Sequence, residues 1–370
     1  MTDFRYLTYP QEILFGANTF RQVREVLEQY HTSRAMLVTT HSQRANGTVL
    51  RLTAALRETL VAVFDAVQPH VPQANVDASV SLAQEHSADV LIALGGGSPI
   101  GVAKATSQAI ASQSINALPI IAIPTTYAGS EVTPVFGVTR LVNNVPIKVT
   151  VNDPAIVPRV VIYDPLLTLD LPREMIASTG INAFAHCVEA VYSISRNPLS
   201  TAAALQGAQK IYAALPRCYQ NGSDLDTRTE MLSGSYLAGI SLANVAMGLH
   251  HGVCHVLGGT AGIPHGITNA IVLPHAIRFN ADVCAPELAQ IARAMNLPPA
   301  DDETLAHAAA DHIATLVAQM NLPTRLRDAG IREQDLPTLA QLAFKNRNVQ
   351  NNPKPIPTLE TMQHFLQTMY

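Results

Sequence analysis

The chain has 370 residues, a length that favours two domains, because a domain usually spans roughly 100 to 200 residues. Apolar residues make up 48% and charged residues only 14%, against about 25% charged in a typical globular chain, which excludes a disordered or coiled-coil protein. The net charge of -4 is spread without runs of like charge, so we expect no nucleic-acid partner.

Cysteine usage points to a reducing compartment. The four cysteines, at positions 187, 218, 254 and 284, form no CxxC pair, so the sequence predicts neither a disulfide framework nor a thiolate zinc site. No stretch approaches the roughly 20 uninterrupted apolar residues of a membrane helix, and the first residues lack the pattern of a secretion signal. We therefore expect a cytoplasmic protein without a membrane partner.

The first half of the chain, residues 1–164, alternates short β-branched runs with helical stretches. The predicted strands are Ala35–Thr39, Val61–Val67, Val90–Leu94, Ile120–Ile123 and Val160–Tyr163. Predicted helices between them include Asn46–Leu60 and Val76–His86. Strands that alternate with helices indicate a parallel, Rossmann-like sheet covered on both faces, so this half is predicted to be an α/β nucleotide-binding domain.

From residue 165 to residue 370 the apolar period changes to about 3.6, which predicts an all-α domain. The predicted helical segments are Arg173–Tyr192, Ser200–Leu215, Thr227–Leu257, Pro286–Met295, Thr304–Met320 and Leu336–Phe344. Asn197 followed by Pro198 is typical of a helix N-cap with proline at the first helical position.

A glycine-rich loop follows the predicted strand Val90–Leu94. Gly95, Gly96, Gly97 and Ser98 lead directly into a predicted helix, so backbone N–H groups and a hydroxyl are available to a phosphate. The loop matches neither the Walker A sequence nor GxGxxG, and an ordinary tight turn is the alternative. Lys104, one turn into the helix, is interpreted as solvent-exposed.

A second loop, with Thr125 and Thr126, follows the predicted strand Ile120–Ile123. Its hydroxyls would lie at the carboxyl edge of the parallel sheet, where ribose and phosphate bind in such folds. A turn closed by its own hydroxyls is the alternative. Two such loops at neighbouring strand ends favour a dinucleotide cofactor.

The helical half carries a set of histidines. Asn182 and His186 are four residues apart and share a helix face, His251 and His255 repeat this spacing, and His265 follows Pro264. A single histidine is more often a hydrogen-bonded core or surface residue than a ligand. Five polar groups in apolar segments are better explained by one shared site, with His250 and His275 as candidate neighbours of it.

These motifs together resemble the iron-containing alcohol dehydrogenase superfamily, along nearly the whole chain. The matching segments are Gly95–Ser98, Pro124–Thr126, Ser178–Asn182, Gly248–Gly252 and Pro264–Gly266. The resemblance implies a dehydroquinate synthase-like fold, in which an α/β domain binds a nicotinamide cofactor and a helical domain holds a divalent metal. It also implies a homodimer.

The resemblance departs from the metal-dependent pattern at one ligand. The superfamily's ligands are an aspartate and three histidines; the histidines match His186, His251 and His265, but the aspartate position is Asn182, whose neutral amide should weaken binding of a divalent cation. Gly101 also replaces an aspartate that the alcohol dehydrogenases usually carry. Both changes are typical of the maleylacetate-reducing branch, which converts maleylacetate to 3-oxoadipate with NADH or NADPH in aromatic compound degradation and is thought to need no metal.

Roles for individual residues follow from the resemblance. His186, His251, His265 and Asn182 are expected to stabilise an enolate, and His255, with His251 as second choice, to donate the proton. The resemblance also assigns cofactor contacts to the glycine and threonine loops, to Lys148 and to Thr40. NAD-selective relatives have an aspartate at the position of Thr40, so a 2'-phosphate would not be repelled here and both NADH and NADPH are expected. Lys345 and Arg347 are candidate ligands for the dianionic substrate.

Two alternatives remain open at this stage. Three histidines can hold zinc without a carboxylate, so a metal-dependent alcohol or aldehyde oxidoreductase is the first. A catalytically silent nucleotide-binding or assembly protein on the same fold is the second. Bound metal tests the first alternative and enzymatic activity the second.

Overall fold

The structure is a computed structural model that describes residues 3–113, 117–142 and 145–370, without the side chains of residues 141, 142, 145, 146 and 148. The chain forms two compact units. The N-terminal unit is Thr8–Leu171, and the C-terminal unit is Pro172–Tyr370 together with the segment that ends at Leu7. Among the described residues, no helix combines the length and apolar character needed to cross a bilayer.

The N-terminal unit is built on a sheet of six parallel strands among the described residues, in the order β1-β8-β5-β4-β2-β3. A separate antiparallel hairpin pairs β6 with β7. The strands are β1 (Glu12–Phe15), β2 (Ala35–Val38), β3 (Leu60–Phe64), β4 (Val90–Gly95), β5 (Ile120–Pro124), β6 (Val135–Val142), β7 (Val145–Asn152) and β8 (Val160–Tyr163).

The central strands read as continuous apolar runs because both faces of the sheet are buried. In β2, Ala35 and Leu37 pack on one face, whereas Met36 and Val38 pack on the other. Helices cover both faces of the sheet in this unit. They are α1 (Val23–Gln29), α3 (Thr48–Leu56), α4 (Gln73–Glu85) and α5 (Gly97–Ala111), whereas the short helix α2 (His41–Ala45) has no buried residue.

The C-terminal unit is helical. Its helices are α6 (Arg173–Tyr192), α7 (Pro198–Gln220), α8 (Leu225–Ala243), α9 (Leu249–Ala261), α10 (His265–Ala294), α11 (Asp302–Gln319), α12 (Leu336–Phe344), α13 (Arg347–Gln350) and α14 (Leu359–Gln367). The predicted cap at Asn197 is present, because its side chain accepts from the N–H groups of Leu199 and Ser200. The predicted fold class, a parallel α/β unit followed by a helical one, is confirmed.

The prediction of one continuous segment over Thr227–Leu257 was wrong. The chain leaves the helix after Ala243 and re-enters it at Leu249, with Asn244 and Gly248 as the flanking caps. Asparagine and glycine both favour helix ends over helix interiors, which explains the break. The apolar period alone did not reveal it.

The predicted segment Pro286–Met295 is the last part of the much longer helix α10. Cys284 has non-helical backbone angles (φ -119°, ψ 25°), so the helix kinks there. Pro286 lacks an N–H donor and its ring crowds the preceding turn, which accounts for the kink. Strand β1 and the hairpin β6–β7 have no counterpart among the predicted elements.

Candidate functional site

The glycine loop closes β4 and opens helix α5. Gly95 has a φ of 138°, a conformation that favours glycine, and Gly96 is the N-cap residue but contributes no side-chain cap. A Cβ on Gly96 would lie 2.9 Å from Thr126 Oγ1, so glycine is needed for the two loops to approach each other. The first turn of α5 therefore offers N–H groups to an anion.

The threonine loop lies against the glycine loop. The Thr125 N–H donates to the Gly95 carbonyl (3.1 Å), and Gln43, just after β2, donates its amide to Thr125 Oγ1 (3.0 Å). Thr40 follows β2, which pairs with β4, and its hydroxyl lies 2.8 Å from Ser42 Oγ. The structure thus brings the two loops and Thr40 together at the carboxyl edge of one sheet, the edge at which parallel sheets bind dinucleotides.

Lys104 is not solvent-exposed, contrary to the prediction. It is fully buried, and its ammonium donates to the carbonyls of Ser130 (2.6 Å), Thr133 (2.7 Å) and Val135 (3.1 Å). Burial lowers the pKa of Lys104 to about 7, and the Glu131 carboxylate acts against that shift. Lys104 therefore fixes the segment that follows the threonine loop.

Ser98 and Lys148 are two further predicted cofactor residues. Ser98 is half-buried in the first turn of α5. Lys148 belongs to β7, and its side chain lies outside the part of the chain that the structure describes. Its predicted contact with the cofactor stays a prediction.

The histidines of the C-terminal unit converge. The rings of His186 on α6 and His251 on α9 are stacked, with centroids 4.8 Å apart. His265, the first residue of α10, lies 6.1 Å from His251 and 5.8 Å from His255 between ring centroids. Asn182 lies one turn before His186 on α6, and both are buried, whereas His255 and His265 are partly exposed. The cluster therefore runs from a buried end to a solvent-accessible end.

Glu189 is a member of this site that the sequence analysis missed. Its carboxylate is fully buried on α6 and contacts His251 Nδ1. A spacing signal was present, because positions 182, 186 and 189 lie on one helix face. Glutamate is rarely fully buried without a partner, so a glutamate within an apolar helix could have been recognised as part of the site.

Burial governs the charges at the buried end. Desolvation, and then the charges of His251, His250 and His255, lower the pKa of His186 well below its ordinary value. Burial likewise lowers the pKa of His250 to about 3, with His251 adding to the shift and Glu189 opposing it. Burial acts to raise the pKa of Glu189, but His251, His250 and the Gly248 N–H outweigh it and keep the carboxylate ionised. His186 and His250 are therefore neutral at pH 7.

The two neighbouring histidines differ in position. His250 belongs to the cluster, with its Nδ1 3.2 Å from His251 Nδ1. His275 instead lies further along α10, where its Nδ1 is 3.3 Å from the Thr368 hydroxyl. Of these two, the structure therefore connects only His250 directly to the cluster.

Helix α13 lies against α9 because residue 252 is glycine. A Cβ there would lie 2.5 Å from Val349 Cγ2 and 2.9 Å from the Val349 nitrogen. The close approach lets Asn348 place its amide nitrogen 3.4 Å from His255 Nδ1. Lys345 and Arg347 are exposed, and they precede Asn348 by three residues and by one residue along the chain.

The donor set is a poor fit for the superfamily's divalent metal. Asn182 supplies a neutral amide where a carboxylate would balance the charge of the cation. Among the described residues, one group of three acidic, thiol or imidazole side chains has ligand atoms within 4.8 Å of one another, and it consists of Glu189, His250 and His251. That carboxylate already accepts hydrogen bonds from His251 and from backbone N–H groups.

Comparisons with known proteins cover nearly the whole chain. Residues 10–165 match the iron-containing alcohol dehydrogenase model, and residues 176–370 match the C-terminal model of the Fe-containing alcohol dehydrogenase family. A maleylacetate reductase of Sphingobium indicum is 39% identical over 79% of this chain and 80% of its own length.

Solved structures agree with these matches. The crystal structure of maleylacetate reductase from Agrobacterium tumefaciens has a TM-score of 0.87 and 34% identity, covering 100% of this chain and 99% of the other. Sulfoacetaldehyde reductase from Bifidobacterium kashiwanohense, solved in complex with NAD+, has a TM-score of 0.89 and 26% identity, covering 100% of this chain and 99% of the other. The chain therefore belongs to the iron-containing alcohol dehydrogenase family of oxidoreductases.

Proposed function

We propose that the chain reduces the carbon–carbon double bond of maleylacetate to give 3-oxoadipate, with NADH or NADPH as the reductant and without a metal. The observation that carries this proposal is the neutral Asn182, buried on the same helix face as His186, at the position where metal-dependent members place an aspartate. The relatives named maleylacetate reductase support the choice of substrate.

The glycine and threonine loops of the N-terminal unit are suited to the cofactor. Gly96 and Gly97 leave the first N–H groups of α5 open to a diphosphate, and Thr125 and Thr126 border them. The relative solved with NAD+ supports a nicotinamide cofactor for this chain as well. A reduced nicotinamide supplies a hydride when it is bound.

The negative charge that develops on the substrate explains why uncharged hydrogen-bond donors can serve in this site. In maleylacetate the double bond is conjugated to a ketone, so addition of hydride to the carbon β to the ketone places negative charge on an enolate oxygen. Buried donors that are fixed before the reaction stabilise such charge strongly. The amide of Asn182 and the imidazoles of His186 and His265 can serve as those donors. His251, whose Nδ1 contacts the Glu189 carboxylate, can accept from one of them at Nε2 and orient it.

A proton completes the reaction. The enolate carbon must receive one H+, so the products are 3-oxoadipate and the oxidised cofactor. His255 is our candidate donor because it is partly exposed and can be reprotonated from solvent. An amide nitrogen only donates, so the contact with Asn348 makes His255 Nδ1 the acceptor and places the proton of the neutral ring on Nε2.

Cations near the site would favour a dianionic substrate. Lys345 and Arg347 are exposed, and we infer that they attract the two carboxylates. The buried, free cysteines fit a reducing, cytoplasmic location. We also propose a homodimer, on the resemblance to the superfamily, and a place in aromatic compound degradation, on the similarity to maleylacetate reductases.

The test is the consumption of NADH, and separately of NADPH, with maleylacetate before and after exhaustive chelation, with metal content measured on the same sample. We expect full activity in metal-free protein and no consumption with 3-oxoadipate, which keeps the ketone but lacks the double bond. Activity that disappears on chelation and returns with zinc or iron would favour the metal-dependent alternative. No activity with maleylacetate in either state would refute the proposed substrate.

A further inference from the structure

The N-terminus of helix α9 is capped by a carboxylate from another helix. Glu189 Oε1 accepts from the N–H groups of Gly248 (3.0 Å) and His250 (3.1 Å), and Oε2 accepts from the N–H of His251 (3.4 Å). Asn352 Oδ1 accepts from the Leu249 N–H (3.2 Å). These bonds satisfy donors that a helix start leaves without intrahelical partners, and they fix the carboxylate in one orientation.

The same carboxylate contacts the His251 side chain through Oε2 and Nδ1. An ionised carboxylate only accepts hydrogen bonds, so the hydrogen between these two atoms belongs to Nδ1. The other ring nitrogen, Nε2, is buried and has no hydrogen-bond partner among the described residues. Stacking on His186 and the contact with Glu189 hold the His251 ring in one orientation. Nε2 is then the ring nitrogen that is left for the cluster.

We propose that Glu189 is a positioning residue that keeps a hydrogen on His251 Nδ1 and reserves Nε2 for the histidine cluster. A carboxylate that orients a catalytic imidazole in this way fixes the ring's orientation and tautomer. Its effect on turnover rests on the proposed function, because there His251 accepts at Nε2 and orients a donor to the enolate. Its effect on the tautomer does not depend on any substrate.

The direct test is the position of the hydrogen. Long-range 1H–15N spectra of 15N-histidine-labelled protein, without cofactor or substrate, distinguish the two ring nitrogens, and the His251 signals are identified by their loss in His251→Gln. We expect hydrogen on Nδ1. A His251 ring whose Nδ1 carries no hydrogen would overturn the proposal, whatever the enzyme's substrate proves to be.

Glu189→Gln tests the cause. Its amide nitrogen can replace Oε2 and donate to Nδ1, so we expect the hydrogen to move to Nε2 and kcat to fall on the order of 100-fold, with an unchanged Kd for NADH. Tyr192→Phe is the matched control, because it removes only the hydroxyl that donates to Glu189 Oε1 (3.3 Å) and should leave hydrogen on Nδ1.

Hydrogen that stays on Nδ1 in folded Glu189→Gln would contradict the positioning role and leave Glu189 as a helix cap only. If Glu189→Gln does not fold, the spectrum of the unmodified protein still decides where the hydrogen lies. A moved hydrogen together with unchanged turnover of maleylacetate would refute the role of His251 in the proposed function, while the effect of Glu189 on the tautomer would stand.

Discussion

Asn348 on α13 places its amide nitrogen 3.4 Å from His255 Nδ1 on α9, so the accessible end of the histidine cluster is held by the C-terminal part of the chain. The contact depends on Gly252, which allows the two helices to approach. His186 and His251, at the other end, are held instead by packing and by Glu189. The two ends of the cluster can therefore be tested separately.

His255→Asn removes the candidate proton donor. We expect kcat for maleylacetate to fall at least about 100-fold, because general acid catalysis typically contributes 10²- to 10⁴-fold, while the Kd for NADH stays unchanged. Steady-state kinetics and a cofactor titration measure the two quantities. His307→Asn, at an exposed position of α11, is the control. Full turnover in His255→Asn would assign the proton transfer to another group.

Gly252→Ala tests the approach of α13 to α9. The added Cβ would lie 2.5 Å from Val349 Cγ2, so we expect a loss of about 1 to 3 kcal/mol in the free energy of unfolding, together with lower turnover as Asn348 shifts. Denaturant unfolding measures the loss.

Gly258→Ala is the matched control on the same helix, because its nearest contact, the Ile263 carbonyl oxygen, lies at 3.4 Å. That variant should be neutral or slightly stabilising, since alanine is the better helix former. Equal losses in both variants would show that the approach of α13 is not what requires glycine at position 252.

Asn182→Asp tests the consequence of the neutral amide. A carboxylate among the three histidines adds the anionic ligand that iron and zinc sites of this family use, so we expect Co²⁺ to bind at least about 10-fold more tightly. The visible absorption of bound Co²⁺ reports the binding. Asn182→Ala is the control and should show no gain. Equal affinities in the original and Asn182→Asp proteins would mean that the amide does not limit metal binding.

Thr40→Asp tests cofactor choice at the end of β2. A carboxylate there would repel the 2'-phosphate of NADPH, so we expect kcat/KM for NADPH to fall by about 10- to 100-fold while that for NADH is kept. Thr53→Asp on α3 adds the same charge away from the strand end and should leave the ratio of the two cofactors unchanged. A uniform loss with both cofactors in Thr40→Asp would argue against a role in discrimination.

Local pattern determined most of the fold. Buried parallel strands such as Val90–Gly95 are continuous apolar runs, and helices such as Arg173–Tyr192 carry the 3.6-residue period, so both are visible without a structure. The glycine and threonine loops were visible for the same reason, because they directly follow such strands. The spacings of Asn182 with His186 and of His251 with His255 predicted a polar cluster, and the structure brings the histidines together.

Tertiary structure decided how those residues are used. Lys104 appears in the sequence as one charged residue on a helix, and only the fold encloses its ammonium among three backbone carbonyls. Glu189 lies far from His251 in the chain, and packing of α6 against α9 makes it both a helix cap and the partner of an imidazole. Burial and hydrogen-bond partners arise from contacts between distant segments, whereas periodicity and capping are local, and that difference separates what the sequence alone determined from what required the structure.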